Sequence, residues 1–346
     1  MDQTVFIAHC MAIARSHFLN TPYKEISVRD LYTIDGFANK ASGICHYCTV
    51  DTLDEILKNN SLRFTDVRFL NDTTEFLEVI PLIRVVLQNV NYSPAFKDFI
   101  LNSDVIHELE EYKQSYAGIS HITGDYQQMM YRTYTCSLST NNDSLDMWNY
   151  YALTHSGVSV CFDFAWNMFE GSDKSEINTG DRLDNDIIIY RGLVLYGNEE
   201  KKKCIAELLN RLQTIFDDAQ ENVEKYSNYI LYAFKESVNH MRCFFKNENF
   251  SNEQEYRVVL KVPENLLRPQ KDNNPIMKTG FFKRGNVLIP YIDYSFRKES
   301  IKRVTINPYV KENNSIFELG IKELLWMKGM EDVKVVRSHI PIRKYD

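Results

Sequence analysis

Residues 134–164 read YTCSLSTNNDSLDMWNYYALTHSGVSVCFDF. YTCSLS (134–139) has the pattern of a strand, SLDMWNYYAL (144–153) that of a helix, and GVSVCFDF (157–164) that of a second strand. The same irregular mixture extends outward from it. Upstream, GICHYCT (43–49) reads as a strand, Asp51 as the N-cap of a brief helix TLDEILKNN, and SLRFT (61–65) as another strand. Asp72 and Glu75 have capping-box spacing ahead of Phe76, Val79, Ile80, Ile83 and Leu87, a helical stripe that Pro81 is expected to kink or split. Residues 95–116 continue as polar-faced helix.

Downstream, 170–186 reads as a polar loop and IIIYRGLVLY (187–196) as a β-branched strand. Residues 199–245 form a long amphipathic stretch in which Ile205, Leu208, Leu209, Leu212, Ile215, Phe216, Ala219 and Val223 recur every three or four positions, the spacing of a core-facing stripe. QEYRVVLKV (254–262) is a strand, 264–278 a loop rich in Asn, Pro and Lys. Strands are expected near 286–294 and 301–306, a helix at 314–327, a last strand at 332–336, and a basic tail at Arg343 and Lys344. Short strands mixed with helices, without a regular βαβ beat, point to an α+β fold.

Composition bounds the rest. The 346 residues are 44 % apolar and 13 % aromatic, ample for a packed core, with only 13 Gly and 9 Pro and no internal period. The net charge of −7 gives no support to binding through non-specific phosphate contacts, although a local nucleic-acid site stays open. The opening MDQTVFIAHCMAIARSHF lacks a basic region ahead of its apolar stretch. No apolar run reaches the ~18–20 residues of a membrane span, so a cytoplasmic location is the default expectation. Seven dispersed cysteines fit reduced, buried thiols better than a disulfide framework. Cys45 and Cys48 have C-x-x-C spacing, but on a strand they face opposite sides. His121, His155, His240 and His339 lack metal-ligand spacing, so no metal is assigned.

The segment richest in chemistry is NEQEYRVVL (252–260). On a strand, Tyr256, Val258 and Leu260 would face a core while Glu253, Glu255 and Arg257 line the other side. That side is either an exposed sheet face with a cross-strand salt bridge or a pair of carboxylates beside a guanidinium with perturbed titration.

An ordered series of blocks spanning about 43–343 carries a resemblance. Ile44-Cys45-His46-Tyr47, a helix ending Ile56-Leu57, and Arg68-Phe69-Leu70-Asn71-Asp72-x-x-Glu75 are followed by Cys136-Ser137-Leu138-Ser139 and Asp146-Met147-Trp148-x-x-Tyr151. Gly157-Val158, Cys161-Phe162-Asp163, Glu253-x-Glu255-Tyr256-Arg257 and Ser338-His339-Ile340-Pro341-Ile342-Arg343 complete it. Together they resemble a bacterial domain-of-unknown-function family that is itself similar to ADP-ribosyltransferases, notably DarT-like nucleic-acid-modifying toxins associated with phage defence. The resemblance implies split mixed or antiparallel sheets with surrounding helices. It also implies an N-terminal helical extension over 1–42 and one transferase-like domain over 43–346 with helical insertions at about 76–130 and 199–245.

By the same resemblance the substrate is NAD, and the acceptor is DNA, RNA or protein. Glu255 would stabilise the oxocarbenium-like centre formed at the ribose, and Glu253 would assist the acceptor nucleophile. His46 or Tyr47 would hold the adenosine ribose, Arg68 would meet the pyrophosphate, and Tyr151 would stack on nicotinamide, with Trp148 and Arg257 beside them. The sequence does not choose between Tyr150 and Tyr151. An antitoxin or other regulatory protein is implied as partner, with the helical surface of 199–245 as a docking site, and no membrane.

Each residue also has a plain structural reading: His46 a satisfied strand histidine, Trp148 and Tyr151 core, Arg68 a partner of Asp66, Asp72 or Glu75. Lys201-Lys202-Lys203 reads as a solvated helix face. Two other functions stay open: a metal-dependent nuclease using Glu253, Glu255 and a third acid, or a non-catalytic sensor on a degenerate fold.

Overall fold

A computed structural model describes residues 43–70, 77–89, 91–111, 120–122, 129–152, 156–163, 168–169, 181–183, 187–268, 277–310 and 315–342, together with Phe6, Cys10 and Ile13. In chain order the elements are β1 (Ile44–Thr49), α1 (Val50–Asn59), β2 (Ser61–Asp66), α2 (Val79–Asn89), α3 (Pro94–Leu101), α4 (Asp104–Glu111), β3 (Ser120–Ile122) and β4 (Met129–Ser139). Next come α5 (Leu145–Tyr151), β5 (Gly157–Phe162), β6 (Asp181–Leu183), β7 (Ile187–Leu193), α6 (Asn198–Ala219), α7 (Val223–Phe244) and β8 (Glu255–Pro263). The last are α8 (Glu264–Leu267), β9 (Met277–Arg284), β10 (Val287–Ser295), β11 (Ile301–Ile306), α9 (Ser315–Met327) and β12 (Lys334–Arg337). The fold is α+β, and the twelve described strands join one mixed sheet.

The sheet forks at β4. Antiparallel β8 occupies one edge of β4 from Tyr131 to Ser139. The other edge is shared by three strands: β3 reaches Tyr131, β2 pairs only at Tyr134 and Thr135, and β1 only at Ser139. Beyond those contacts β1 continues into β5, β11 and β12, whereas β2 continues into β10 and β9. Helix α1 connects the two branches, and its apolar face (Leu53, Ile56, Leu57) packs with Ile44, Cys48, Leu62 and Phe64. One apolar helix face can thus fill the wedge that two diverging strands leave.

A second core is helical. α2, α3, α6 and α7 bury Ile83, Phe96, Leu208, Leu212 and Phe234 together, and Phe6, Cys10 and Ile13, each helical, join them. The stripe at 199–245 therefore packs inward as its spacing implied, but it is broken into two 22-residue helices by a 3-10 turn at Gln220–Asn222.

Several expectations are corrected. Thr49, not Asp51, caps α1, its hydroxyl accepting from Thr52 N at 3.2 Å. Pro81 neither kinks nor splits α2, because it lies in the first turn, where no intrahelical N–H is needed. The helix expected over 95–116 is divided into α3 and α4 at Asn102 and Ser103. The end of the expected loop at 170–186 pairs with β7 as a short strand. Strand β9 occupies residues given to a loop and to none, and Gly285, at φ 58°, makes the tight turn into β10. Cys45 and Cys161, directly opposed on β1 and β5, form a disulfide, whereas Cys48 on the other face is free. The Asp72–Glu75 box, Asn71 and the Arg343–Lys344 tail lie outside the described residues.

Candidate active site

Residue identity at the end of β8 sets the geometry. Gln254 takes a left-handed turn (φ 44°) that ends a 3-10 helix, Glu248–Glu253, so the strand begins only at Glu255. Glu253 is therefore not on the strand with Glu255 and Arg257, as the alternation implied, but hangs over its end. Neither is the charged side exposed: Glu255 and Arg257 are each 1 % accessible, because α7 covers them. The salt bridge runs along β8 rather than across to another strand.

Directly opposed residues share a face, so Ser139 stands beside Glu255 and Ser137 beside Arg257. Glu255 Oε1 accepts from Ser137 Oγ and from Arg257 Nε at 2.7 Å. Its Oε2 accepts from Arg257 Nη2 at 2.9 Å and Lys246 Nζ at 3.0 Å. Arg257 Nη1 donates to the Cys243 carbonyl at 2.8 Å. Lys246 bridges to Glu253 Oε2 at 2.6 Å, and the Tyr151 hydroxyl donates to Glu253 Oε1 at 2.8 Å. The backbone is pinned too: Glu255 N donates to Tyr196 OH at 3.0 Å, and Ser139 Oγ to the Glu253 carbonyl at 2.8 Å.

Two carboxylates thus meet two cations in a buried, charge-balanced group. Burial would raise the Glu255 pKa, but the Arg257 guanidinium, Lys246 and the Ser137 hydroxyl outweigh it and hold the carboxyl at about 2. Burial would lower that of Lys246, yet the two glutamates raise it. The Tyr196 hydroxyl is pushed up by burial, opposed by its bond to the Glu255 backbone.

Above this group the surface is aromatic. Tyr151 is 40 % exposed, Tyr150 73 % and Phe250 36 %, and Lys246 Nζ lies 4.8 Å from the Phe250 ring centre. Of the adjacent tyrosines, Tyr151 is the one that meets Glu253. Trp148 instead is fully buried, edge-on to Tyr47 at 4.7 Å, with its indole N–H on Asp143 Oδ1 at 2.8 Å. Tyr47 accepts from Ser144 N at 3.0 Å and donates to the Asn141 carbonyl at 2.8 Å, tying β1 to the loop that leads into α5. Asp143 in that loop also accepts from Ser338 Oγ (2.6 Å) and His339 N (2.9 Å), which draws the closing motif to this side of the sheet.

Two expected residues are elsewhere. Strand alternation puts His46 with Ile44 and Cys48, facing the α1 core and away from Glu255. Its imidazole is hydrogen-bonded to the Ser137 backbone, and burial, opposed by that bond, lowers its pKa. Arg68 clasps Asp66 at 2.9 and 2.6 Å, and Asp66 stands opposite Tyr134, five residues along β4 from the Ser139 that faces Glu255. Lys246, Ser137 and Tyr196 were not singled out for this group. Ser137 and Ser139 lay within the quoted Cys136–Ser139 block, but Lys246, seven residues before Glu253 and across a turn, carried no local signal.

Residues 147–258, from α5 into β8 and including Tyr151, Lys246, Glu253, Glu255 and Arg257, match a family described as a protein of unknown function (DUF2971). No curated protein matches the chain, and no solved structure does. No described helix is long and apolar enough to cross a membrane.

Proposed function

We propose that the protein transfers ADP-ribose from NAD⁺ to a macromolecular acceptor at the outer edge of this group, with Glu253 as the catalytic carboxylate and Glu255 as its positioning residue. One observation carries the assignment. An ionised carboxylate offers about four lone-pair directions. Those of Glu255 are taken by Ser137, two Arg257 nitrogens and Lys246, whereas Glu253, among the described residues, engages Tyr151 and Lys246 alone, beneath an exposed aromatic rim. A ribose 2′-hydroxyl could add to Glu253; none could add to Glu255 without displacing a donor.

In the reaction the nicotinamide–ribose bond breaks and its electron pair leaves with neutral nicotinamide. The oxocarbenium character left at C1′ is stabilised by the Glu253 charge through the ribose hydroxyl. An acceptor O–H or N–H attacks C1′, and its proton is released. Tyr150 and Tyr151 supply ring faces for nicotinamide. Arg257 and Lys246 keep Glu255 ionised, and Lys246 and Tyr151 hold Glu253 in place. The nuclease reading fits less well, because Lys246 already bridges the two carboxylates where a divalent ion would sit. Among the described residues no group of three or more His, Cys, Asp or Glu is arranged to hold one.

The test is incubation of the protein with adenine-labelled NAD⁺ and cell lysate, followed by mass spectrometry of DNA, RNA and protein fractions. Wild type should label one fraction, and Glu253→Gln should lower that label about 100-fold or more at unchanged melting temperature. Glu255→Gln should lower label and stability together. Full labelling by Glu253→Gln, or no NAD⁺ consumption by wild type, would overturn the reading.

A further inference from the structure

The β9–β10 ribbon is the other place where charge and aromatic rings are gathered. β2 pairs with β10 from Tyr291 to Ser295, so residues 281–290 run past the end of β2 and, among the described residues, are paired only with each other. Residues 277–295 hold Lys278, Lys283 and Arg284 and one acid, Asp293, which stands opposite Lys278 and pairs with Arg63, in a chain whose net charge is −7. Phe281 is 67 % exposed, Leu288 64 % and Val287 50 %.

The two faces differ by register. Lys283 pairs with Leu288 and Phe281 with Pro290, so one face carries an exposed ring beside a cation and two apolar neighbours. On the other face cations and rings alternate. The Arg63 guanidinium lies 3.9 Å over Tyr291, Tyr291 stands 6.1 Å from Phe282, and Arg284 lies 5.5 Å over Phe282. Gly280 makes this possible: a Cβ there would come within 2.5 Å of Tyr291 Cζ, so the Tyr291 ring lies across the glycine of the opposite strand. Lysines on an edge strand also discourage strand-to-strand aggregation. That role calls for neither an exposed Phe281 nor a ladder of guanidinium groups and rings.

We propose that this ribbon binds single-stranded nucleic acid, with bases stacking on Phe281 and phosphates meeting Lys283 on the same face. It would be the acceptor of the transfer described above, and only that use of the ligand rests on the transferase reading. Rings accept any base, cations accept the backbone, and together they hold a strand whose bases are unpaired.

The test uses full-length protein without NAD⁺ and fluorescein-labelled single-stranded DNA, single-stranded RNA and duplex of about 16 nucleotides, read by anisotropy. Single strands should bind more tightly than duplex, with affinity falling from about 50 to 200 mM salt. Phe281→Ala should weaken binding about 10-fold, and Lys283→Ala should lower the salt slope by about 0.7. The DNA and RNA arms decide which polymer is preferred. Absence of binding at low salt, equal affinity for duplex, or variants that bind like wild type would overturn the inference. So would ribbon variants that lose labelling of a protein fraction only. Glu253→Gln should bind nucleic acid normally, and acceptor-free NAD⁺ hydrolysis should be unchanged in Phe281→Ala. The ribbon and the transferase site therefore fail separately.

Discussion

Two of the arginine–carboxylate forks on this sheet sit in opposite surroundings. Arg257 grips Glu255 at 2.7 and 2.9 Å with side chains 1 % and 2 % exposed. Arg63 grips Asp293 at 3.0 and 3.2 Å with side chains 40 % and 18 % exposed. The geometry is nearly the same, but the worth is not. In the first, water is excluded and each partner is the other's main compensation for lost hydration, so removing one strands a buried charge. In the second, water and salt screen the pair and would replace either member. The buried fork is suited to holding a structure still, the exposed one to exchanging partners with a ligand.

The largest effect should come from splitting the buried fork. Arg257→Ala is expected to cost about 3–5 kcal/mol in denaturant unfolding, since Glu255 is left buried with Lys246 and Ser137 alone. Replacing Glu255 and Arg257 together with Met and Leu should recover most of that loss; a double variant as unstable as the single one would break the comparison.

Acid should reveal the same group. The Glu255 carboxyl is lowered from 4.5 to about 2 on folding, so its contribution is present above about 4.5 and lost as pH falls toward 2. The loss should be on the order of 3 kcal/mol and absent in Glu255→Gln, as read from unfolding free energy between about pH 5 and 2. A wild-type profile no steeper than that of the variant would count against the buried charge.

Arg63→Ala should cost only about 0.2–1 kcal/mol, and the difference should shrink in about 1 M salt, where the screening length is about 3 Å. A loss as large as that of Arg257→Ala would show that exposure is not what separates the forks. Smallest of all, Phe281→Ala should alter stability by no more than about 0.5 kcal/mol, which leaves a binding defect free of a folding explanation.

Much of the architecture was legible locally. The apolar alternation of Tyr256, Val258 and Leu260 marks a core-facing strand, and these three side chains are buried. The spacing of Ile205, Leu208 and Leu212 likewise reappears as a buried stripe. The missed β9 did carry a signal, since Gly285 and Asn286 stand between two strand-like runs. Other features had none. The left-handed turn at Gln254 moves Glu253 off the strand, and no spacing rule reports a single positive φ at a residue other than glycine or asparagine. Cys45 and Cys161 are 116 residues apart and meet only because β1 lies against β5.

By itself, then, the chain's periodicity determined the α+β class, the apolar side of β8 and the inward stripe of the long helical stretch. Those follow from short-range rules, because side-chain direction repeats every two residues in a strand and every 3.6 in a helix. Only the tertiary structure decided that Glu255 and Arg257 are sealed beneath α7, that Lys246 sits between the glutamates, and that His46 and Arg68 stand away from them. Those outcomes depend on which distant segments pack together, and a one-residue turn or a fork in a sheet redirects charges that the local pattern had aligned.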